Sequence, residues 1–297
     1  MQALVTTHIS LSIVSIYLDL KKEEQMAYVK EPQVVDRPVY RSLSKRGSRV
    51  VLLSGSGNTG KSALAALIQA VYRARIFSIT SEISQDAAQF RASIDARFAP
   101  DETYECFRDM FLCQDNVVID VGGTAIECFL EKASVGYLSR LVDVVVLVVD
   151  RTSRGQEDAL SCLEVLRMGG FRDQQIRFLF TRKKQRESVD FQFETMLAYG
   201  ADHPGVKINP KCVIPELTFF DLFRKSGMSF GEVFAMHDSS ASVAESLVST
   251  FDSSASTETS STEEFARHAK RARACFARAV KELQLGMEPR EALGPWL

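Results

Sequence analysis

The stretch SRVVLLSGSGNTGKSALAALIQ, Ser48 to Gln69, decides the fold. Val50 to Leu53 is a short, continuous apolar run, the pattern of a strand covered on both faces of a parallel sheet. Gly55, Gly57 and Gly60 then open a tight loop ahead of Lys61 and Ser62. From Ser62 the period changes, and Leu64, Leu67, Ile68 and Val71 recur on one helical face. Strand, glycine loop and helix form the setting in which G-x-x-x-x-G-K-[ST] has a mechanism. The glycines let backbone N–H groups close on phosphate oxygens, and the helix start adds its positive dipole end. Lys61 is expected to reach the β/γ-phosphates and Ser62 to ligate Mg²⁺. The expected nucleotide-binding set is Gly55, Gly57, Asn58, Thr59, Gly60, Lys61, Ser62 and Ala63. The plainer alternative is a glycine-rich turn that binds nothing, and the complete motif in its setting speaks against it. Lys61 reads as an exposed, phosphate-facing side chain whose truncation costs the fold under about 0.5 kcal/mol.

At 297 residues the chain can bury a sizeable core, and one α/β domain with appendages fits better than two equal domains. A formal charge of -2 argues against a wholesale electrostatic grip on DNA and leaves local basic patches open. The six cysteines contain no C-x-x-C pair and several sit in apolar runs, which suits reduced core thiols of a cytoplasmic protein. His8, His203, His237 and His268 give no helix-spaced metal pair. No run of apolar residues is long enough to predict a transmembrane helix.

Further strands are expected at 74–80, 116–121, 142–150, 176–181 and 212–214, and helices at 100–111, 125–138, 157–168 and 187–199. The segment 84–97 reads as mixed helical, and further helices are expected at 219–225 and 230–237. Strands alternating with helices predict a doubly wound, mostly parallel α/β sheet in three layers. Residues 1–48 form an N-terminal extension. Its first 25 residues nearly alternate apolar and polar, which leaves an added edge strand open; the favoured reading starts the functional chain at Met26, with residues 1–25 dispensable. The nucleotide domain is placed at 49–237 and a Ser-rich linker at 238–262. A basic amphipathic helix and tail follow at 263–297, opened by the capping box Ser261-x-x-Glu264. Its stripe of Phe265, Ala269, Ala272, Phe276, Val280 and Leu283 either docks on the domain or belongs to a tethered arm for DNA, an acidic partner or a membrane surface.

Asp120 ends an apolar strand, where a buried carboxylate is costly without a cation, and is read as the acid that holds the Mg²⁺ shell through water, a strand-end turn residue being the plainer alternative. Gly122 and Gly123 would let the next loop approach a γ-phosphate. Glu82, after the second strand, is read as orienting an attacking water or joining the metal shell, with surface solvation equally open. The strand at 176–181 runs into Thr181-Arg182-Lys183-Lys184 with neither the Asn nor the Asp that reads guanine, so ATP is favoured over GTP. Arg182 and Lys183 are candidates to pack on the base, a solvated basic loop being the alternative.

The SGSGNTGKS loop, the strand before Ser81-Glu82, and the NVVIDVGG and IRFLFTRKK strands together resemble the ParA/MinD-like P-loop ATPases, within them the StbB group of plasmid stability proteins. The likeness spans 49–235. It implies a nucleotide-switched ATPase in plasmid stability, partition or transfer. It also implies a plasmid-encoded DNA-binding partner, indirect or non-specific DNA association, and a nucleotide-dependent homodimer. One departure stands out: the second, signature lysine that such loops carry five residues before the main one is Ser56 here. Two rivals remain, a P-loop small-molecule kinase and a nucleotide-binding adaptor without turnover.

Overall fold

The computed structural model describes residues 46–55, 59–80, 94–135, 138–220, 223 and 258–288. Its contacts divide the chain into a unit ending at Arg46 and a unit from Gly47 onward, and all of the following concerns the second. The expectations for residues 1–25, for the helix at 230–237 and, apart from 219, 220 and 223, for the helix at 219–225 lie outside the described residues.

In chain order the elements are β1 (Arg49–Leu53), α1 (Lys61–Tyr72), β2 (Arg75–Ile79), β3 (Ile94–Phe98), α2 (Thr103–Leu112), β4 (Val117–Val121), α3 (Ile126–Val135), α4 (Leu138–Leu141) and β5 (Val144–Asp150). They continue with α5 (Ser153–Met168), β6 (Ile176–Lys183), α6 (Val189–Gln192), α7 (Glu194–Asp202), β7 (Val213–Pro215) and α8 (Glu258–Leu283). Among the described residues the strands form one sheet in the order β3-β2-β4-β1-β5-β6-β7. Every pairing is parallel. This is the doubly wound α/β class read from the sequence.

The continuous apolar runs are explained by what covers the sheet. Every residue of β1, β4 and β5 is buried. Alternate residues feed two separate cores. Val50, Leu52, Val146 and Val148 pack with α1 and α8, together with Phe219 and Phe223. Val51, Leu53, Val145 and Leu147 pack with α2, α3, α5 and α7. The six thiols are free. Burial pushes Cys162 and Cys212 up to about 12, so neither is a thiolate near neutrality. No helix among the described residues is long and apolar enough to cross a membrane.

Several expectations are corrected. Residues 94–97, read as helical, belong to the edge strand β3, whose half-exposed, alternating pattern Ile-Asp-Ala-Arg-Phe carries too few apolar residues to announce a strand. Asp95 replaces part of the ladder there, its Oδ2 accepting from Ile76 N at 2.8 Å. At the other end of the chain, α8 is already helical from Glu258, so Ser261 lies inside it. The N–H groups it was expected to cap belong to the helix interior. The apolar stripe of α8 is docked: Phe265, Phe276, Val280 and Leu283 are buried in the core shared with α1.

Arg49 holds the amino-terminal edge of the sheet. Its side chain is fully buried at 0% exposure. One guanidinium nitrogen donates to Gly47 O at 2.7 Å and Asp115 O at 2.5 Å, and the other donates to Cys113 O. A planar fork suits three fixed carbonyls; a lysine's single ammonium does not. Arg49→Met is expected to strand these acceptors and destabilise the fold by about 3–5 kcal/mol, with Arg49→Lys recovering only part. Urea unfolding of the two variants checks this, and a loss within the range of ordinary surface substitutions would refute it.

Candidate nucleotide site

The loop after β1 is shaped by its neighbours. A side chain at Gly55 would bring its Cβ to 2.3 Å from the Cβ of Asp158, so only glycine lets the loop start lie against α5. Gly60 turns the chain into α1 with φ 93°, a conformation that disfavours any side chain. It also offers no side chain to cap the helix, and the first turn of α1 holds no acid. The N–H groups at Lys61, Ser62 and Ala63 thus head a twelve-residue helix whose positive end is open to an anion.

Lys61 is not the exposed side chain expected. It is 8% exposed, and its Nζ donates to Ser54 Oγ at 2.6 Å. Burial holds its pKa below the ordinary lysine value, while the nearby Asp120 and then Cys162 pull the other way. A desolvated ammonium at a helix start favours an anion, which would add to what Ser54 and the nearby Asp120 already restore.

Ser62 and Asp120 are in direct contact. Ser62 Oγ donates to Asp120 Oδ2 at 2.8 Å, joining the start of α1 to β4 across 58 residues of sequence. Asp120 is 9% exposed and sits on β4 beside Leu52 of β1. A hydroxyl and a carboxylate held together here are the hard oxygen donors that Mg²⁺ takes. Thr59 Oγ1, in the loop itself, is buried with no hydrogen-bond partner among the described residues. These features fit a magnesium–nucleotide complex.

The loop after β4 splits into two roles. Gly122 N donates to Ile79 O at 2.8 Å, which fastens it to β2. Gly123 is exposed, with open space among the described residues where a side chain would stand. Arg182 is exposed and lies at the carboxyl end of β6 with φ 57°. Glu82, Gly57, Asn58 and Ser56 lie outside the described residues.

Sequence reasoning missed Ser54 and Asp158 beside the loop, and Asp150 and Gln156 on β5 and α5. Ser54 is the partner of Lys61. Asp158 lies against Gly55, and burial raises its carboxyl pKa, with Arg154 opposing and Glu157 and Asp150 adding to the rise. Asp150 ends β5, and its Oδ1 accepts from Thr152 N at 2.8 Å and from Thr152 Oγ1. It shapes the turn into α5. Gln156 is buried in the first turns of α5. The place of Asp150 at a strand's carboxyl end was a usable signal; the others emerge only from packing.

No family model matches the sequence, and no curated protein matches it. Solved structures with a related chain path include the ATP complex of a variant of Cyanothece McdA, at 15% identity and TM-score 0.40, covering 64% of this chain and 91% of that one. A second is the septum site-determining protein MinD complexed with Mg-ADP from Pyrococcus horikoshii OT3, at 14% identity and TM-score 0.40, covering 81% and 99%. A third is a ParA family ATPase from Chlorobium tepidum TLS, at 13% identity and TM-score 0.40, covering 75% and 98%. The fold and the site rest on this chain's own strand order and distances.

Proposed function

We propose that this chain is a magnesium–ATP-binding P-loop switch of ParA/MinD type, related to the StbB group and serving plasmid stability, partition or transfer. The observation that carries the nucleotide reading is the Ser62–Asp120 contact at 2.8 Å beside a buried Lys61. A serine hydroxyl, an acid and a desolvated lysine converge at an uncapped helix start, and phosphate with its cation satisfies all three. Ser62 and Asp120 would hold Mg²⁺, which when bound neutralises phosphate charge and orients the terminal phosphate. Lys61 binds the phosphates, the α1 N–H groups cradle them, and Gly123 leaves room for the terminal one. Glu82 is proposed to orient the attacking water.

The plasmid role, the DNA-binding partner and a nucleotide-dependent dimer are proposed from the sequence resemblance. Non-specific DNA association, if it belongs to this chain, would use the exposed cations Arg267, Arg271 and Arg278 on the outer face of α8. Its affinity should fall as salt rises. Nucleotide hydrolysis measured with and without Mg²⁺, duplex DNA and the neighbouring DNA-binding protein tests the proposal. Turnover that DNA and partner stimulate supports it, and a stable phosphorylated small-molecule product would favour a kinase instead.

Asp120→Asn keeps the shape and a hydrogen-bond acceptor for Ser62 but removes the charge that faces the cation. Magnesium-dependent enhancement of ATP binding is expected to fall by about tenfold or more, while binding of ATP without metal changes little. An unaltered magnesium response would show that Asp120 serves only to hold Ser62.

A further inference from the structure

Ser54 is the last residue before the glycine loop and is fully buried, at 0% exposure. A hydroxyl in such a place is costly unless it meets a partner. Its backbone is confined on both sides. Leu53 before it belongs to β1, and Gly55 after it lies so near α5 that a Cβ would stand 2.3 Å from the Cβ of Asp158. Seven residues later Lys61 opens α1, and its Nζ reaches back across the loop to donate to Ser54 Oγ at 2.6 Å.

Two further groups pull on this ammonium, Asp120 from β4 and Cys162 from α5. Burial pushes Cys162 up to about 12, so near neutrality it is an uncharged thiol. Asp120 is the charged competitor. A lysine ammonium on its flexible stem turns readily toward a nearby anion, and opposite charges out of water attract strongly. An ammonium settled on Asp120 would cancel the charge that the acid offers to a cation. It would also occupy donors that phosphate needs.

The site gives each of these charges a hydroxyl. Ser62 Oγ donates to Asp120 Oδ2 at 2.8 Å, and Ser54 Oγ accepts from Lys61 Nζ at 2.6 Å. An ammonium has three donors, so the bond to Ser54 leaves two for phosphate oxygens. We infer that Ser54 is a positioning residue, which anchors the Lys61 ammonium within the phosphate loop and keeps it from collapsing onto Asp120. The inference rests on the nucleotide reading of the site and adds what sets the lysine and the acid to separate tasks. Ser54 acts through Lys61 and needs no contact with phosphate or metal.

Affinity for ATP without metal, measured by calorimetric titration of the full chain, isolates the lysine from the cation. Ser54→Ala should weaken it by about tenfold, because the ammonium is then drawn to Asp120. In an Asp120→Asn background the competitor has lost its charge, and Ser54→Ala should weaken ATP binding by less than about twofold. A serine that merely shapes the loop would weaken binding equally in both backgrounds. Ser54→Cys, which keeps the size but offers a weaker acceptor, should fall between the wild type and Ser54→Ala. It decides the matter if the alanine variant does not fold. Equal losses in the two backgrounds overturn the inference, and so does no loss in either; the phosphate site then stands without it. A wild-type chain that binds no ATP removes the nucleotide reading and the role of Ser54 together.

Discussion

Truncation after Ser254 is expected to unfold the protein. The removed segment contains α8, and α8 is part of the core. Phe265, Phe276, Val280 and Leu283 are each at most 5% exposed, and they pack with Phe219, Phe223 and the face of α1. Phe276 meets Phe219 edge-on at 6.0 Å and Phe220 at 5.7 Å between ring centroids. Small residues at Ala269, Ala272 and Ala279 bring the helix close against these partners. Burying four such side chains contributes on the order of 10 kcal/mol, comparable with the whole stability of a domain at about 5–15 kcal/mol. Polar ties go with them: Ser48 Oγ donates to Leu285 O at 2.7 Å, Asn209 Nδ2 to Glu282 Oε2 at 2.7 Å, and Arg271 Nη2 to Gln185 Oε1 at 2.9 Å. Circular dichroism and thermal unfolding of the truncated chain should show no cooperative transition near the wild-type temperature. A truncated chain with wild-type stability would restore the reading of α8 as a tethered arm. The solvent face of α8 behaves separately: Arg278→Ser should change stability by no more than about 0.5 kcal/mol.

Lys61→Ala should weaken Mg-ATP binding by about a hundredfold or more, since a charge-assisted contact to phosphate is lost. The same substitution should leave the nucleotide-free chain as stable as the wild type, or more stable. This differs from an exposed lysine, whose loss is neutral because it touches little. Lys61 is buried and its pKa is lowered, so in the absence of an anion the ammonium opposes folding. The sign of the pH dependence follows. Between the lowered folded value and the ordinary 10.5, the unfolded chain binds more protons than the folded one. Wild-type stability without nucleotide therefore gains a contribution as pH rises through that window, and Lys61→Ala lacks it. Parallel urea titrations across alkaline pH check the difference. Equal pH slopes in the two proteins would mean that the lysine is solvated after all.

Legibility in the sequence tracked burial. β1, β4, β5 and β6 were readable because strands covered on both faces leave unbroken apolar runs such as Val144 to Val149. The edge strand β3 was not, because half of it faces solvent and Asp95 and Arg97 interrupt the run. The stripe of α8 was readable as a stripe, but periodicity is the same for a helix that docks at home and one that docks elsewhere. At the site, the chemistry of Ser62 and Asp120 could be inferred from the loop and the strand end. The burial of Lys61 could not, since it depends on Ser54 and on α5. The bulge at Arg182 is a relation between β6 and β7, and no local pattern announces it. Gln156 and Gln192 were equally silent, as a buried carboxamide looks in sequence like any polar helix residue.

Calorimetric titration of the intact chain with ATP, in the presence and absence of Mg²⁺, tests the central claim most directly. The Ser62–Asp120 pair and the buried Lys61 predict saturable binding at a single class of site, strengthened by Mg²⁺ and lost in Lys61→Ala. Absence of saturable binding at millimolar ATP with Mg²⁺, or binding that survives unchanged in Lys61→Ala, would contradict it.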